Sequence, residues 1–211
     1  MVAFTTEPLQ VVALKLRQGF DAGMSAGNSA TAFVNGTQHI IVSYYAGETL
    51  QKILQKIDDY LTLTNLYKHK LIKSLLLIFR DTISTLIDQG KSTSSNTDSI
   101  CNENAAETNV HTLRSIFFHR ASQAFWLGHT ERCHHYFLKV LQLSDVIAKL
   151  ANIIAIFYQG LNTFQLLKKQ NTAKLRAITQ NAIKVLKTAR SHSDWNFDNK
   201  VRLFTFVLPF G

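Results

Sequence analysis

The chain has 211 residues, of which 46 % are hydrophobic, so it is large enough to bury a core and global disorder is excluded. The net charge is +9, which permits binding to nucleic acid or to an acidic membrane without requiring either. The lysines and arginines are spread over the predicted helices with no run longer than Lys168-Lys169, a pattern more typical of solvated helix faces. Two prolines and nine glycines are few for an all-β chain and favour long helices.

The apolar segments and the cysteines bear on localisation. The most apolar stretch, Leu71 to Ile87, is interrupted by Lys73 and by Arg80-Asp81, charges that are costly at the centre of a bilayer, so we expect no transmembrane span. The N-terminal residues MVAFTTEPLQ contain no basic segment followed by an apolar one, and we expect no signal peptide. Cys101 and Cys133 do not make a disulfide framework. The sequence therefore favours a reducing compartment, and the simplest expected localisation is cytoplasmic.

Hydrophobic residues recur at helical spacing through the first part of the chain. Thr6 is the predicted cap of the first helix, and Gly27-Asn28 breaks the chain after it. Gly47 ends the second helix, Thr49 is the candidate cap of the third, and Gly90 stops the fourth. The pattern predicts helices over about residues 7–25, 29–45, 50–61 and 66–89.

The composition then changes. Residues 91–108 are polar and rich in Ser and Asn, with little to bury, and we predict a loosely ordered loop. The predicted domains are therefore an N-terminal helical half, 7–90, and a C-terminal helical half, 109–206, on either side of this loop. The C-terminal residues are apolar without a helix stop signal, and we expect the chain to be part of a longer protein. The second half is predicted to contain helices over about 108–127, 130–143, 145–169 (capped by Ser144 or Asp145), 172–192 and 197–206.

The predicted helices follow one another in pairs joined by short turns, and strand signals are nearly absent. Short turns make neighbouring helices antiparallel, and repeated pairs stack into a solenoid. In the second half, the small residues Ala121 and Ala124 let a partner helix approach, Gly128 makes a tight turn, and Tyr136 and Phe137 cover the pair. This ordering resembles a divergent tetratricopeptide repeat (TPR). The predicted fold class is all-α, with antiparallel helix pairs stacked as a TPR-like α-solenoid.

Five segments of the chain carry a narrower resemblance. They are LKLRQGFDAGMSAGNSATAF (14–33), YYAGETLQKILQKIDDYL (44–61), NENAAETN (102–109), RASQAFWLGHTERCHHYF (120–137) and SDWNFDNKVRLF (193–204). Their order is similar to the helical-repeat region that follows the AAA-type ATPase module of large signalling proteins. Those proteins combine a protein-kinase-like domain and a predicted ATPase with a histidine-kinase or nucleotide-cyclase output domain. The family's phosphate-binding loop, kinase catalytic loop and phospho-acceptor histidine box are not in this sequence, so the resemblance implies no nucleotide-binding residue here.

Two clusters have residue types that could carry chemistry, but each has a plainer interpretation. Gly90-Lys91-Ser92 looks like the end of a phosphate-binding loop, but Thr85 stands where that loop needs a glycine, and a predicted helix precedes it. His129 and Cys133 have the i, i+4 spacing of metal ligands on a helix, and His134-His135 follows them. No second ligand pair is evident, so we interpret this cluster as exposed histidines on a repeat helix.

The other candidates are also predicted to be structural. His119 is followed by Arg120 rather than by the acidic residue of a phospho-acceptor helix, so we predict a partly buried histidine. Asp58-Asp59 diverge because they are adjacent on a helix, and we predict a solvated face. We therefore predict no catalytic, cofactor-binding or metal-binding residue. The aromatic residues predicted to form core rather than a base-stacking platform are Phe117, Phe118, Phe125, Trp126, Tyr136, Phe137, Phe157, Tyr158 and Phe164.

Three functions are compatible with these patterns. The favoured one is a non-catalytic helical-repeat scaffold or regulatory module of a signal-transduction ATPase or kinase-type protein, whose groove binds a peptide, a neighbouring domain or another protomer. The alternatives are an all-α enzyme with an unrecognised site and a nucleic-acid-binding helical array, the latter prompted by the net charge of +9. We expect no cofactor, a protein or neighbouring domain as partner, and nucleic acid as the less favoured partner.

Overall fold

The computed structural model describes residues 6–89, 110–143 and 149–207. In these ranges it contains nine α-helices and no strand, arranged as adjacent helix pairs, which confirms the predicted all-α class. None of these described helices is both long and apolar enough to cross a membrane. In chain order the helices are α1 (Leu9–Ser25), α2 (Ser29–Tyr45), α3 (Leu50–Leu66), α4 (Lys70–Ile87), α5 (Val110–Trp126), α6 (Thr130–Gln142), α7 (Lys149–Leu167), α8 (Ala173–His192) and α9 (Asp194–Val207).

The chain divides into two compact units, and the boundary lies within α5, between His119 and Arg120. The first unit is Pro8–His119, and the second takes in the residues from Arg120 onward together with those before Pro8. The predicted loop 91–108 and the predicted cap at Ser144 or Asp145 lie outside the described residues. The predicted domains 7–90 and 109–206 therefore stay a prediction.

In the first unit, α1 and α2 form an antiparallel pair. Gln10 Nε2, near the start of α1, donates to the carbonyl oxygen of Ala46 after the end of α2, at 3.2 Å. A Cβ on Gly23, near the end of α1, would lie 3.0 Å from Ala32 Cβ near the start of α2, so the glycine permits the close approach of the two helices. Helix α2 packs on α3 and α4, and α3 packs on α4. The buried core of this unit is Phe20, Ala32, Phe33, Ile40, Ile53, Ile57, Tyr60, Leu76, Phe79 and Ile83.

In the second unit, α6 packs on α7, α7 on α8, and α8 on α9. Asn162 on α7 donates from Nδ2 to the carbonyl oxygen of Thr130 at the start of α6, at 3.0 Å. A Cβ on Gly160 would lie 2.6 Å from both Ala182 on α8 and Phe204 on α9, so three helices meet closely at this glycine. The buried core around this point is Phe157, Ala182, Leu186, Val201 and Phe204.

The glycine turns occur where the sequence predicts them. Gly27, Gly47 and Gly128 have φ values of +72°, +87° and +76°, in the left-handed region that favours glycine. The side chain of Asn28 accepts the Thr31 amide at the start of α2, and Thr172 does the same for Leu175 in α8. As a result, α2 has the predicted bounds, Ser29–Tyr45.

Three predicted helix starts are wrong. The residue before α1 is Pro8 rather than the predicted cap Thr6, and the helix begins at Leu9. Helix α3 continues to Leu66, and α4 begins only at Lys70, because the turn between them contains Lys68 at φ +57° rather than a glycine. The third is α9, which begins at Asp194 rather than near Phe197, so the predicted connection 193–196 is largely helical. Asp194 is an acidic residue in the first turn, where the helix dipole favours negative charge.

Candidate functional site

The predicted metal candidates lie on α6 and in the turn before it. Cys133 is fully buried, and burial raises the pKa of its thiol to about 12, so the thiol stays protonated at neutral pH. Burial also lowers the pKa of His134, whereas His129 is exposed. Within the described residues, no three His, Cys, Asp or Glu side chains are grouped so that they could hold a metal ion. Gly90-Lys91-Ser92 lies outside the described residues.

His119 and Asp58 have structural partners. His119 is buried on α5, and its ring centroid lies 4.7 Å from that of Phe79. Burial lowers the pKa of His119 to about 4, so its imidazole is neutral at neutral pH. Asp58 forms an ion pair with Arg80, with 2.6 Å between Oδ1 and Nε, and both side chains are nearly half exposed. An exposed pair of this kind contributes about 0–1 kcal/mol to stability.

The predicted core aromatics include one exception. Phe117, Phe137 and Phe157 are buried as predicted, whereas Trp126 is 55 % exposed at the C-terminal end of α5. The Trp126 ring packs edge-on against Tyr158, with 5.9 Å between the centroids. The prediction of a core position is therefore wrong for Trp126, because one edge of this large ring packs and the other faces solvent.

A solvent-open cleft of about 370 Å³ lies in the first unit, between α1, the C-terminal part of α2 and α3. None of its residues was among the candidates predicted from the sequence. The lining residues that matter for its chemistry are Gln10 and Leu14 on α1, His39 and Ser43 on α2, Glu48 in the following turn, and Lys56 on α3.

Lys56 is the centre of a polar network in this cleft. Its Nζ lies 2.6 Å from Glu48 Oε2, 3.2 Å from Ser43 Oγ and 3.3 Å from His39 Nε2. His39 Nδ1 in turn lies 3.2 Å from the Tyr60 hydroxyl oxygen. Lys56 and Tyr60 are on α3, whereas their partners are on α2 and in the turn after it. The network therefore ties these elements together.

The geometry fixes the tautomer of His39. A lysine ammonium can only donate, so His39 Nε2 accepts from Lys56, and Nδ1 carries the proton that is donated to Tyr60. Burial, together with the positive charges of Lys56 and Arg17, lowers the pKa of His39 to about 4. The imidazole is therefore neutral at neutral pH, which agrees with the hydrogen-bond assignment.

The remaining groups of the network are also in defined charge states. Burial opposes ionisation of Glu48, but the hydrogen bond and the charge of Lys56 outweigh it, and the pKa of the carboxyl is lowered. Burial raises the pKa of Tyr60, which keeps the phenol neutral. With Lys56 positive, Glu48 negative and His39 neutral, the network has no net charge at neutral pH.

These contacts limit what the cleft can do chemically. The three donors of Lys56 meet three acceptors, so an anionic ligand would have to displace Glu48. A pKa of about 4 makes His39 a weak general base near neutral pH. The α1 side is different, because Leu14 is 59 % exposed beside the polar network. The cleft therefore presents to a ligand a polar network whose groups are already paired and one accessible apolar side chain, Leu14.

Part of this network is visible in the sequence. His39 and Ser43 on α2, and Lys56 and Tyr60 on α3, are i, i+4 pairs, so each pair lies on one helix face. What the spacing does not show is that these two faces meet.

Comparison of the chain with protein-family models, curated proteins and solved structures finds no match.

Proposed function

We propose that the chain is a non-catalytic helical-repeat module that mediates protein–protein or interdomain contacts in a signal-transduction protein of the ATPase or kinase type. The observation that favours binding over catalysis is the polar network of the cleft, in which Lys56, Glu48 and His39 satisfy one another. The signalling context rests on the order of the five segments that resemble the family. A cytoplasmic location is part of the proposal, because Cys133 is a buried free thiol.

The α1 side of the cleft is the proposed contact surface. Leu14 and Val11 are 59 % and 40 % exposed, and their i, i+3 spacing places them on the same side of α1. A partner segment that covers Leu14 with an apolar side chain would gain about 1–2 kcal/mol, since complete burial of a leucine contributes about 1.5–3 kcal/mol. The occupant that fits is therefore a protein segment with an apolar residue at its centre.

The test compares two exposed apolar positions of the first unit. Leu14→Glu places a charge in the cleft, whereas Val34→Glu places the same charge on α2, where Val34 is 50 % exposed and does not line the cleft. Partners are found by crosslinking in cells, purified and titrated against the full chain. We expect the wild type and Val34→Glu to bind equally and Leu14→Glu to bind roughly tenfold more weakly or worse. Equal binding by all three would contradict the proposed surface.

The enzyme alternative is tested with the same full chain. Purified protein is screened for hydrolysis and group transfer on nucleotides, phosphoesters and acyl esters, and Lys56→Met serves as the cleft variant. We expect no saturable turnover. Saturable turnover by the wild type that is lost in Lys56→Met would refute the non-catalytic function and would identify the cleft as an active site.

A further inference from the structure

The positive charge is concentrated in one part of the chain. Residues 120–211 contain thirteen lysines and arginines against four aspartates and glutamates, whereas residues 1–119 contain ten of each. The complete net charge of +9 therefore lies in residues 120–211. Lys168-Lys169 is the longest run of basic residues in this part, so the asymmetry lies in the summed charge and not in a cluster of adjacent lysines.

Helix α8 is the centre of this charge. No aspartate or glutamate occurs between Asp145 and Asp194, and α8 lies within that interval. One side of α8 is buried by packing on α7 and α9. The opposite side is exposed and carries Arg176, Lys184 and Lys187, which we call the α8 basic face. From Arg176 to Lys187 this face is about 17 Å long.

The lysines of the face are not neutralised within the described part of the chain. Lys184 and Lys187 form no ion pair or side-chain hydrogen bond there. Arg176 Nε donates to the uncharged Asn171 Oδ1 at 2.8 Å, whereas Arg190 at the end of the helix pairs with Asp198, at 2.9 Å from Nε to Oδ1. Like charges at i, i+3, such as Lys184 and Lys187, repel one another on a helix. An anionic partner would relieve this repulsion.

We propose that the α8 basic face is a docking site for an acidic, Asp- and Glu-rich segment of a partner protein. The inference rests on the proposed function only in that the partner is a protein, and it uses a different surface from the cleft. Two of the three cations are lysines, which act as point charges, whereas arginine is the residue suited to bidentate recognition of phosphate. The face has no aromatic residue on which a base could stack, and no large apolar residue to enter a membrane.

The test uses a fluorescein-labelled oligoglutamate peptide long enough to span about 17 Å as the acidic segment. Its binding to the full chain is measured by fluorescence anisotropy at low salt. The test variant is Lys184→Glu with Lys187→Glu. The matched control is Lys70→Glu with Lys73→Glu on α4, two exposed lysines of the first unit with the same i, i+3 spacing. Both variants lower the net charge from +9 to +5. Circular dichroism checks that each variant is folded.

We expect the wild type and the α4 control to bind the peptide equally and the α8 variant to bind it roughly tenfold more weakly. Equal weakening by both variants would overturn the inference, because it would mean that only net charge matters. Tighter binding of a short duplex DNA or RNA of matched charge, or of anionic phosphatidylserine vesicles, would also overturn it and assign the face to that ligand. Absence of peptide binding refutes the docking site, while the Leu14→Glu test of the cleft would stand unaffected.

Discussion

Replacing Lys56 by methionine tests whether the polar network stabilises the first unit. Methionine keeps the apolar stem of the side chain and removes the ammonium group. The change leaves Glu48, Ser43 and His39 without their shared donor. Lys56 and Glu48 are only about a quarter exposed, at 27 % and 26 %, so water replaces the lost donor incompletely. We expect a loss of about 1–2 kcal/mol in the free energy of unfolding.

Urea unfolding at neutral pH measures this loss. With an m-value of about 2 kcal/mol per M, the midpoint should fall by about 0.5–1 M. Lys52→Met is the matched control, because Lys52 is exposed one turn earlier on the same helix, and we expect its effect to stay within about 0.5 kcal/mol. If Lys56→Met and Lys52→Met have the same midpoint, the network does not stabilise the fold, and the reasoning is refuted.

The same variant has a second, independent readout. The charge of Lys56 is one cause of the low pKa of His39, although burial is the larger cause. In Lys56→Met the pKa of His39 should therefore rise from about 4 and still stay below the ordinary value of 6.5. An NMR titration of the imidazole measures it. An unchanged pKa would contradict the placement of Lys56 Nζ beside His39 Nε2.

Three further predictions follow from burial and packing. The pKa of His119 is lowered to about 4, so the stability that its neutral imidazole contributes is fully present above pH 6.5 and is lost as the pH falls towards 4. His119→Leu should therefore flatten the pH dependence of the unfolding free energy over that range, and an unchanged pH dependence would contradict the burial of His119. Gly160→Ala should lower the free energy of unfolding, measured in urea, by about 1–3 kcal/mol, because its Cβ would lie 2.6 Å from side chains of α8 and α9. An unchanged urea midpoint would show that the helices move apart without a loss of stability. In a Cys101→Ser background, Cys133 should react with a thiol reagent only on unfolding, and rapid native labelling would contradict its burial.

The helix bounds could be predicted where a local signal determines them. Gly27, Asn28 and Gly47 supply left-handed turns and a cap, and they bound α2 correctly. The turn between α3 and α4 has no such signal. There the ring of His69 packs 4.6 Å from that of Phe33, and its Nε2 lies 3.1 Å from Ser29 Oγ. Tertiary contacts with α2 accompany this turn, and a single-sequence pattern does not contain them.

The candidate site was harder to predict for a related reason. Spacing shows that His39 shares a helix face with Ser43, and Lys56 with Tyr60, but both patterns are also typical of solvated helices. The site exists only because α2 and α3 bring these faces together and bury them. The α8 basic face is not visible as a run of basic residues for a different reason. Its cations are separated in sequence and come together only on one face of the helix.

The two proposed surfaces differ in how they should respond to salt, and this difference separates them experimentally. Contacts over Leu14 are apolar and lie beside a network without net charge, so partner binding there should change little between about 50 and 200 mM salt. Contacts with Lys184 and Lys187 are exposed ion pairs, which salt screens over a Debye length of about 10 Å. A partner that uses only the cleft should therefore bind independently of salt, and a partner that uses the α8 basic face should lose affinity as salt is raised. If one partner shows a salt-sensitive component that Lys184→Glu with Lys187→Glu removes, and a salt-insensitive component that Leu14→Glu removes, then both surfaces bind it. A salt dependence that is lost in Leu14→Glu instead would contradict the assignment of the salt-sensitive contact to the α8 basic face.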